Sequence, residues 1–439
     1  MKQVSIKSLL VLGIVCWALG ISAQKYAGGD LSMLPKYEAA NVQYKDPSGQ
    51  RINDVLGYLK TEAGFNIVRV RLFVNPSGET GVCQDLDYVK SLGKRVKEKG
   101  MKLLLDFHYS DTWADPSNQW TPAAWGSLSD DELYQKIYDY TKECLEAMNA
   151  AGATPDFIQT GNEISYGMLW GKQGSGNGKR CYTNSDANWP RFRQLLSQAG
   201  KACREVCPEA RIIIHTERSG NASTTRGIYE RLADIDYDII GLSYYPEWHN
   251  SISVLKTTVQ NCHNTYPEKD VMIVETGYYN NWYPQNATYN FTSTWPASAA
   301  GQKKFLDDLV AATKDLDYVT GLLYWFPEEN PYNNRVYEPW YNHGLFDPST
   351  GRATDALFSL KAFLPSQPSS LTSHLSPLTP RPPTTYRGDA SPTATRGTAS
   401  ISPTVGRQPS DSLPEIYQRG GRRRLTRWSA QANGEVGAG

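Results

Sequence analysis

The sequence predicts an α/β protein whose central part, residues 24–364, forms a single (β/α)8 TIM barrel. Three observations lead to this prediction. Eight short apolar segments alternate strictly with longer amphipathic ones, which is typical of a parallel sheet covered by helices. Eight such repeats fit into about 340 residues, as a closed barrel requires. Polar or aromatic residues follow the apolar segments at the same end, where a barrel would expose them.

The predicted strands are the apolar segments at 26–33, 66–74, 102–110, 155–163, 210–217, 237–246, 271–277 and 319–327. The predicted helices cover 52–63, 85–100, 130–151, 189–206, 225–233, 252–262, 297–314 and 354–363. Some boundaries carry their own signals, since Ser129 and Glu132 frame the start of the third helix and Gly100 ends the second. A doubly wound open sheet is the alternative, but no glycine-rich phosphate loop follows any strand.

The two ends of the chain are predicted to lie outside the barrel. Residues 1–23 combine two lysines with an apolar run at 9–20 and small residues at the end, which is typical of a secretory signal peptide. Residues 365–439 are rich in Pro, Ser, Thr, Gly and Arg and contain no lysine. We interpret them as a low-complexity, disordered tail. A linker to another module, a basic surface-binding segment and out-of-frame translation are the alternatives.

The charge of the chain argues against nucleic acid as a partner. The full sequence has a formal net charge of zero, but residues 24–364 hold 34 Lys and Arg against 41 Asp and Glu. An acidic body of this kind does not favour a phosphate backbone. The 12 Trp and 27 Tyr fit a neutral polymer bound on aromatic side chains, although aromatic residues also fill cores.

The cysteine pattern predicts disulfides rather than a metal site. An exported chain can oxidise its thiols, and we expect at least one disulfide among Cys83, Cys144, Cys181, Cys203, Cys207 and Cys262. The sequence offers neither a CxxC pair nor a Cys/His cluster that would form a zinc site.

Two glutamates at the ends of two predicted strands are candidates for acid–base catalysis. Glu163 ends the segment PDFIQTGNE, and Glu275 follows the apolar run of DVMIVETG. An isolated Asn-Glu pair is usually an ordinary loop feature, but the C-terminal ends of barrel strands meet on one face. We therefore predict that the fold assembles Glu163 and Glu275 into one carboxylate pair. Glu163 would give a proton to a leaving group, and the amide of Asn162 would hold a sugar hydroxyl.

Further polar and aromatic residues are predicted to converge on the same face. Each of them alone fits a core or rim position, but together they favour a site: Arg69, Arg71, Asp106, His108, Tyr109, Ser110, Asp111, His215, Glu217, Tyr244, Tyr245 and Trp325. The loops at 112–125, 164–189, 278–295 and 328–340 are long and aromatic, which is typical of a substrate groove. Candidates to stack on sugar rings are Trp113, Trp120, Trp170, Trp282 and Trp295.

Several motifs within residues 28–364 resemble those of glycoside hydrolase family 53, the arabinogalactan endo-β-1,4-galactanases. They run in order and without a gap, and include NIVRVRLFVNPS, DFHYSDTWADP, TGNEI with the GMLW that follows, GLSYYPEWH, IVETGYY and LLYWFPEENPY. The resemblance implies a retaining clan A hydrolase that cleaves β-1,4-galactan, the backbone of type I arabinogalactan in pectin side chains. The tail lies outside the resemblance.

The resemblance also implies roles for individual residues. Glu163 would be the general acid/base, with a raised pKa, and Glu275 the nucleophile, with the two carboxyls about 5–5.5 Å apart. Arg71 would keep Glu275 ionised, and Tyr245, or its neighbour Tyr244, would hydrogen-bond it. Asn162 would hold the 2-hydroxyl of the sugar. The other supporting residues are His108, His215 and Trp325, which would line the cleavage subsite, together with Asp106 and Trp113.

The implied chemistry requires no cofactor. Some relatives carry a calcium ion between the loops after strands seven and eight, but residues 278–295 contain no acidic residue, so a structural calcium is not favoured. We expect a secreted, periplasmic or cell-surface monomer with no transmembrane segment after signal cleavage. The alternatives are another clan A endo-glycanase (mannanase, xylanase or cellulase), a carbohydrate-binding protein without catalysis, and an adhesion role for the tail.

Overall fold

Eight parallel strands close into a barrel in the order in which they occur in the sequence. The computed structural model describes residues 24–173, 180–182, 185–333 and 342–365. Its strands are β1 Tyr26–Asp30, β2 Ile67–Leu72, β3 Lys102–Phe107, β4 Phe157–Thr160, β5 Arg211–Thr216, β6 Ile239–Tyr244, β7 Asp270–Thr276 and β8 Val319–Trp325. The predicted (β/α)8 TIM barrel is therefore confirmed. The predicted signal peptide at 1–23 and the tail beyond residue 365 lie outside the described residues.

Helices follow the strands along the chain. They are α1 Leu34–Ala39, α2 Val55–Thr61, α3 Leu86–Glu98, α4 Asp130–Ala150, α5 Asn188–Val206, α6 Ala222–Glu230, α7 Pro246–His249, α8 Ile252–Thr265 and α9 Ala299–Thr313. Every predicted helix is present with shifted ends, and the segment predicted at 354–363 is the 3₁₀ helix Asp355–Phe363. The sequence did not predict α1, α7 or the 3₁₀ turn Ala123–Trp125, because one or two turns are too short to show a helical period.

The predicted helix boundaries rest on the local chemistry of the chain. Ser129 and Glu132 form a capping box at the start of α4: the Glu132 carboxylate accepts the Ser129 amide at 2.8 Å, and the Ser129 hydroxyl accepts the Glu132 amide at 3.4 Å. Gly100, with a φ of +66°, follows the end of α3, where a left-handed residue stops the helix.

Side chains of the strands alternate between two cores. Those that face the barrel axis fill its interior: Tyr26, Ile67, Leu104, Phe157, Ile213, Ile239, Met272, Val274 and Leu323. Intervening residues such as Val68 and Val70 belong to the core that includes the helices. Because the interior is filled with side chains, the barrel is not a channel, and a ligand has access only to its ends.

Strand β7 contains one residue more than its neighbour requires. Leu242 of β6 pairs with Ile273, but the next residue, Ser243, pairs with Glu275, so Val274 is additional. The pairing with β8 is irregular over the same stretch. Such a bulge re-aims side chains. Val274 therefore fills the barrel interior while the carboxylate of Glu275 reaches the mouth.

The expected disulfide is not found among five of the candidate cysteines, since Cys83, Cys144, Cys203, Cys207 and Cys262 carry free thiols. All except Cys83 are buried in the main core, where a thiol packs as a small apolar side chain. No helix within the described part of the chain is long and apolar enough to span a bilayer.

Candidate active site

The predicted carboxylate pair meets at the C-terminal mouth of the barrel. Glu163 lies just beyond the end of β4, and Glu275 lies near the end of β7. The guanidinium of Arg69 connects their surroundings: Nη1 is 3.0 Å from Oε2 of Glu275, and Nη2 is 2.6 Å from Oδ1 of Asn162, the neighbour of Glu163. Glu163 is 1% exposed and Glu275 7%, so both carboxyls are largely removed from water.

The backbone presents Glu163 in a rarely populated conformation. Its φ is +49°, in the left-handed region, two residues after Gly161 at +113°. Two contacts with His215 hold it there: the amide of Glu163 donates to Nδ1 at 3.3 Å, and the amide of Ile164 donates to the main-chain carbonyl at 3.0 Å. Backbone strain of this kind is found where a functional side chain must be aimed.

The surroundings of Glu163 favour its protonated form. Burial raises the pKa of this carboxyl well above its usual range, and the negative charges of Glu275 and Glu217 raise it further. The hydroxyl of Ser243, which donates to Oε1 at 2.6 Å, acts in the opposite direction. A carboxyl whose pKa is raised in this way is suited to general acid catalysis.

Glu275 lies in a more polar setting. Burial raises its pKa as well, but the guanidinium of Arg69 and the hydroxyl of Tyr245, which donates to Oε1 at 2.7 Å, oppose that increase. Tyr244 donates instead to the carbonyl of Asn250 at 2.9 Å, so Tyr245 is the tyrosine that contacts Glu275. The pKa of Glu275 remains raised, but less strongly than that of Glu163, so Glu275 is the better candidate for the carboxylate of the pair.

Arg69, and not Arg71, is the arginine beside Glu275, so that part of the prediction was wrong. Arg69 also contacts Asp30 at 3.1 Å and Asp106 at 2.8 Å, and is 1% exposed. Arg71 pairs with Asp30 at 2.8 Å and lies over the ring of Trp113 at 4.7 Å. Arg71 stands two residues further towards the mouth on β2, above the level of the nucleophile candidate.

Asp106 anchors Arg69 from below. It is fully buried and accepts hydrogen bonds from Arg69 and from Nε2 of Gln159 at 2.6 Å. Burial alone would raise the pKa of Asp106, but Arg69 and His108 together bring it below its usual range. Asp106 is therefore an ionised group that fixes its neighbours, and it does not face the cleft.

The two histidines predicted to line the cleavage subsite are both buried at the mouth of the barrel. His215 is fully buried, and His108 is 3% exposed. Nδ1 of His108 accepts the amide of Ala114 at 3.1 Å, so its Nε2 carries the hydrogen and faces Asp106 at 3.2 Å. Burial lowers the pKa of His108, and that of His215 to well below its usual range. Both are neutral residues that position other groups.

Trp113 and Trp325 form an aromatic corner of the mouth. Their rings meet edge to face at 6.3 Å, and Trp325 is 7% exposed. Among the other tryptophans proposed for stacking, Trp120 and Trp282 are half-buried in their loops. The proposal was wrong for the remaining two, because Trp170 and Trp295 are 1% and 4% exposed and belong to the packed interior.

Sequence reasoning missed three polar residues beneath the glutamates. Asp30 binds both arginines, Gln159 links Asp106 to His215 at 2.6 and 2.9 Å, and Ser243 contacts Glu163. A signal was available for each, since all three are polar residues within otherwise apolar strands. Buried polar side chains of this kind require partners, and their partners here are the site residues.

That the protein has no structural calcium stays a prediction. Within the described ranges, no group of three or more His, Cys, Asp or Glu residues is arranged to hold a metal ion. The loop after β8 is described only up to residue 333 and again from residue 342.

Replacing Glu217 with Gln tests the electrostatic account of Glu163. Glu217 accepts the hydroxyl of Ser165 at 2.5 Å and pairs with Arg218 at 2.9 Å, and its charge raises the pKa of Glu163. Removing that charge lowers the pKa of the acid, so the alkaline limb of the kcat/KM profile should move to lower pH. Glu209→Gln, at the opposite end of the barrel, serves as the control. An unmoved limb, or a shift to higher pH, would contradict the account.

Known proteins resemble this chain over nearly all of its barrel. The sequence model of Glycosyl hydrolase family 53 matches residues 26–363. A probable arabinogalactan endo-beta-1,4-galactanase A from Neosartorya fischeri is 34% identical over 330 residues, 72% of this chain and 87% of that protein. The arabinogalactan endo-beta-1,4-galactanase of Cellvibrio japonicus is 31% identical over 385 residues, 83% and 96% of the two chains. The Ignisphaera aggregans GH53 catalytic domain matches with a TM-score of 0.69 and 32% identity, over 79% of this chain and 98% of that one.

Proposed function

The chain belongs to glycosyl hydrolase family 53, and we propose that it is an endo-β-1,4-galactanase that acts by a retaining double displacement. The observation that carries the proposal is the asymmetry of the carboxyl pair. Glu163 has a neutral hydroxyl beside it and a strongly raised pKa, whereas Glu275 has the guanidinium of Arg69. The galactan substrate is proposed from the names of the relatives in Neosartorya fischeri and Cellvibrio japonicus.

In the first displacement, the carboxylate of Glu275 attacks the anomeric carbon of a galactosyl unit. The glycosidic bond breaks, its electron pair stays with the leaving oxygen, and Glu163 gives that oxygen its proton. A galactosyl ester on Glu275 forms, and the shortened chain departs. Arg69 and Tyr245 hold Glu275 in place before the attack.

The second displacement uses the same residues in the reverse sense. Glu163, now a carboxylate, takes a proton from a water molecule whose oxygen attacks the anomeric carbon and releases Glu275. The ester has removed the negative charge of Glu275, which was a cause of the raised pKa of Glu163. Glu163 is therefore a stronger acid at this stage, as its change of role from acid to base requires.

Asn162 is the residue that we propose holds the 2-hydroxyl of the sugar under attack. Its Oδ1 is engaged by Arg69, and its Nδ2 donates one hydrogen to the carbonyl of Ala114 at 2.8 Å. A side-chain amide has two such hydrogens, so one is left for a sugar hydroxyl. Trp325, at the end of β8, is the proposed apolar surface on which a pyranose ring can lie.

Hydrolysis of purified linear β-1,4-galactan is the experiment that tests the function, with mannan, xylan and carboxymethylcellulose assayed in parallel. We expect a rapid loss of viscosity with galactan alone, and NMR should show the β-anomer released first. Glu163→Gln and Glu275→Gln are the inactive controls. If a different polymer alone were cleaved, the catalytic role of the two glutamates would stand, but galactan would be the wrong substrate. Protein recovered from culture medium should begin near Gln24, in agreement with the proposed export.

A further inference from the structure

We propose that Ser243 is a positioning residue which holds Oε1 of Glu163 and thereby leaves Oε2 as the oxygen that gives and takes the proton. The inference rests on the proposed role of Glu163 as the acid/base. Ser243 is fully buried at the end of β6. Its Oγ is 2.6 Å from Oε1 of Glu163 and 2.8 Å from Nε2 of His215.

The direction of these hydrogen bonds follows from a chain of fixed groups that starts at Asp106. Arg69 keeps Asp106 ionised, so the atom of Gln159 that lies 2.6 Å from its Oδ1 must be the donating Nε2. The same nitrogen donates its second hydrogen to Nδ1 of His215 at 2.9 Å. The amide of Glu163 also points at Nδ1. Oδ1 of Asn162 also lies 3.1 Å from Nδ1, but it already accepts from Arg69 at 2.6 Å. Because two donors are directed at Nδ1 of His215, we assign it as an acceptor and place the ring hydrogen on Nε2.

This tautomer decides what the hydroxyl of Ser243 can do. Nε2 of His215 donates to Oγ of Ser243, so the hydroxyl of Ser243 is the acceptor in this hydrogen bond. The single hydrogen of Ser243 is then directed to Oε1 of Glu163. A carbonyl oxygen accepts such a hydrogen bond better than the hydroxyl oxygen of a carboxylic acid, so Oε1 is the carbonyl of the protonated acid. The transferable proton is on Oε2.

Strand β6 and the extended residue that follows it provide one hydroxyl to each member of the carboxyl pair. Ser243 donates to Glu163, and Tyr245, two residues further on, donates to Glu275 at 2.7 Å. Residues two apart on an extended chain point to the same face. The bulge in β7 brings Glu275 opposite Ser243, so both donors lie at the level of the glutamates.

A serine that merely completes a buried network would also show these contacts. The two readings differ in what happens to catalysis when the hydroxyl is lost. A structural serine affects stability alone. A positioning serine affects proton transfer by Glu163, which matters for a poor leaving group and much less for a good one.

The test compares Ser243→Ala with Ser243→Thr, which restores a hydroxyl. For Ser243→Ala we expect kcat/KM on galactan to fall about 10- to 100-fold, within the range typical of general acid–base effects. On a dinitrophenyl β-galactobioside, whose leaving group needs no proton, the loss should be less than about 3-fold. The alkaline limb should move to higher pH, because the lost hydrogen bond had lowered the pKa of Glu163. Ser243→Thr should recover most of the activity.

Ser359→Ala is the matched control, since Ser359 is a buried serine that donates to Asp307 at 2.7 Å, in the helical layer. Equal losses on both substrates, or an unmoved alkaline limb, would overturn the role of Ser243. A ¹³C-carboxyl titration of Glu163 in the wild type and in Ser243→Ala reads the same pKa change without any substrate. If no polymer is cleaved by the wild type, the proposed function fails, while the titration still decides the contact between Ser243 and Glu163.

Discussion

Glu275→Gln is expected to lower kcat/KM on galactan by on the order of 10⁴-fold or more, because the attacking carboxylate is lost. Glu163→Gln should cost about 10²- to 10⁴-fold, the range of a lost general acid. The matched control is Glu329→Gln. Glu329 is also a buried glutamate, bonded to Tyr37, and burial raises its pKa to about 8. It is uncharged at neutral pH, so glutamine imitates it and activity should be retained.

Azide distinguishes the two roles within this prediction. In Glu163→Ala, azide attacks the galactosyl ester in place of activated water and should give the β-galactosyl azide. In Glu275→Ala, azide occupies the space of the lost carboxylate and should give the α-azide. The opposite assignment of products would exchange the roles of the two glutamates, and full activity in either variant would show that other carboxyls carry the reaction.

Arg69→Met is expected to lower the free energy of unfolding by about 3–5 kcal/mol, the typical cost of leaving buried charges without their partner. Arg69 neutralises Asp30, Asp106 and Glu275 together, and none of these is more than 9% exposed. Arg71→Met should cost less, because within the described ranges Arg71 forms an ion pair with Asp30 alone, and Asp30 still pairs with Arg69 after the change. Urea unfolding curves of both variants provide the comparison.

The milder change Arg69→Lys tests the catalytic side of the same residue. Lysine keeps the charge but loses the planar fork that reaches several carboxylates at once. Because Arg69 lowers the pKa of Glu275, we expect that pKa to rise and the acid limb of the kcat/KM profile to move to higher pH. Arg71→Lys should leave the acid limb in place. Equal effects of the two lysine variants would restore Arg71 as the partner of Glu275.

The strands were predictable because their composition is mostly apolar. Each lies between more polar segments, and all eight were found. Their ends were placed too far along the chain, for example at 155–163 for Phe157–Thr160. The reason is that the ladder stops where residues such as Glu163 turn towards the cleft, and apolar patterning carries no information about that turn.

The carboxyl pair was predictable from strand ends, but the choice between Arg69 and Arg71 was not. The two arginines stand two residues apart on one face of β2, so the sequence makes them equivalent. What separates them is depth in the barrel, set by the pairing of Arg69 opposite Asp30. The direction of the Ser243 hydroxyl was likewise out of reach, because it depends on a hydrogen-bond chain from three other strands.

The additional residue in β7 determines what must be transferred if this active site is to be built on another barrel. On a regular strand, the position after an inward-facing residue such as Val274 points to the surrounding helices. A designer who grafted only the two glutamates onto another eight-stranded scaffold would send the counterpart of Glu275 into the wrong layer. The graft must carry a strand of the right length together with its side chains. The number of residues in β7 is therefore as important for placing Glu275 as the identity of the glutamate itself.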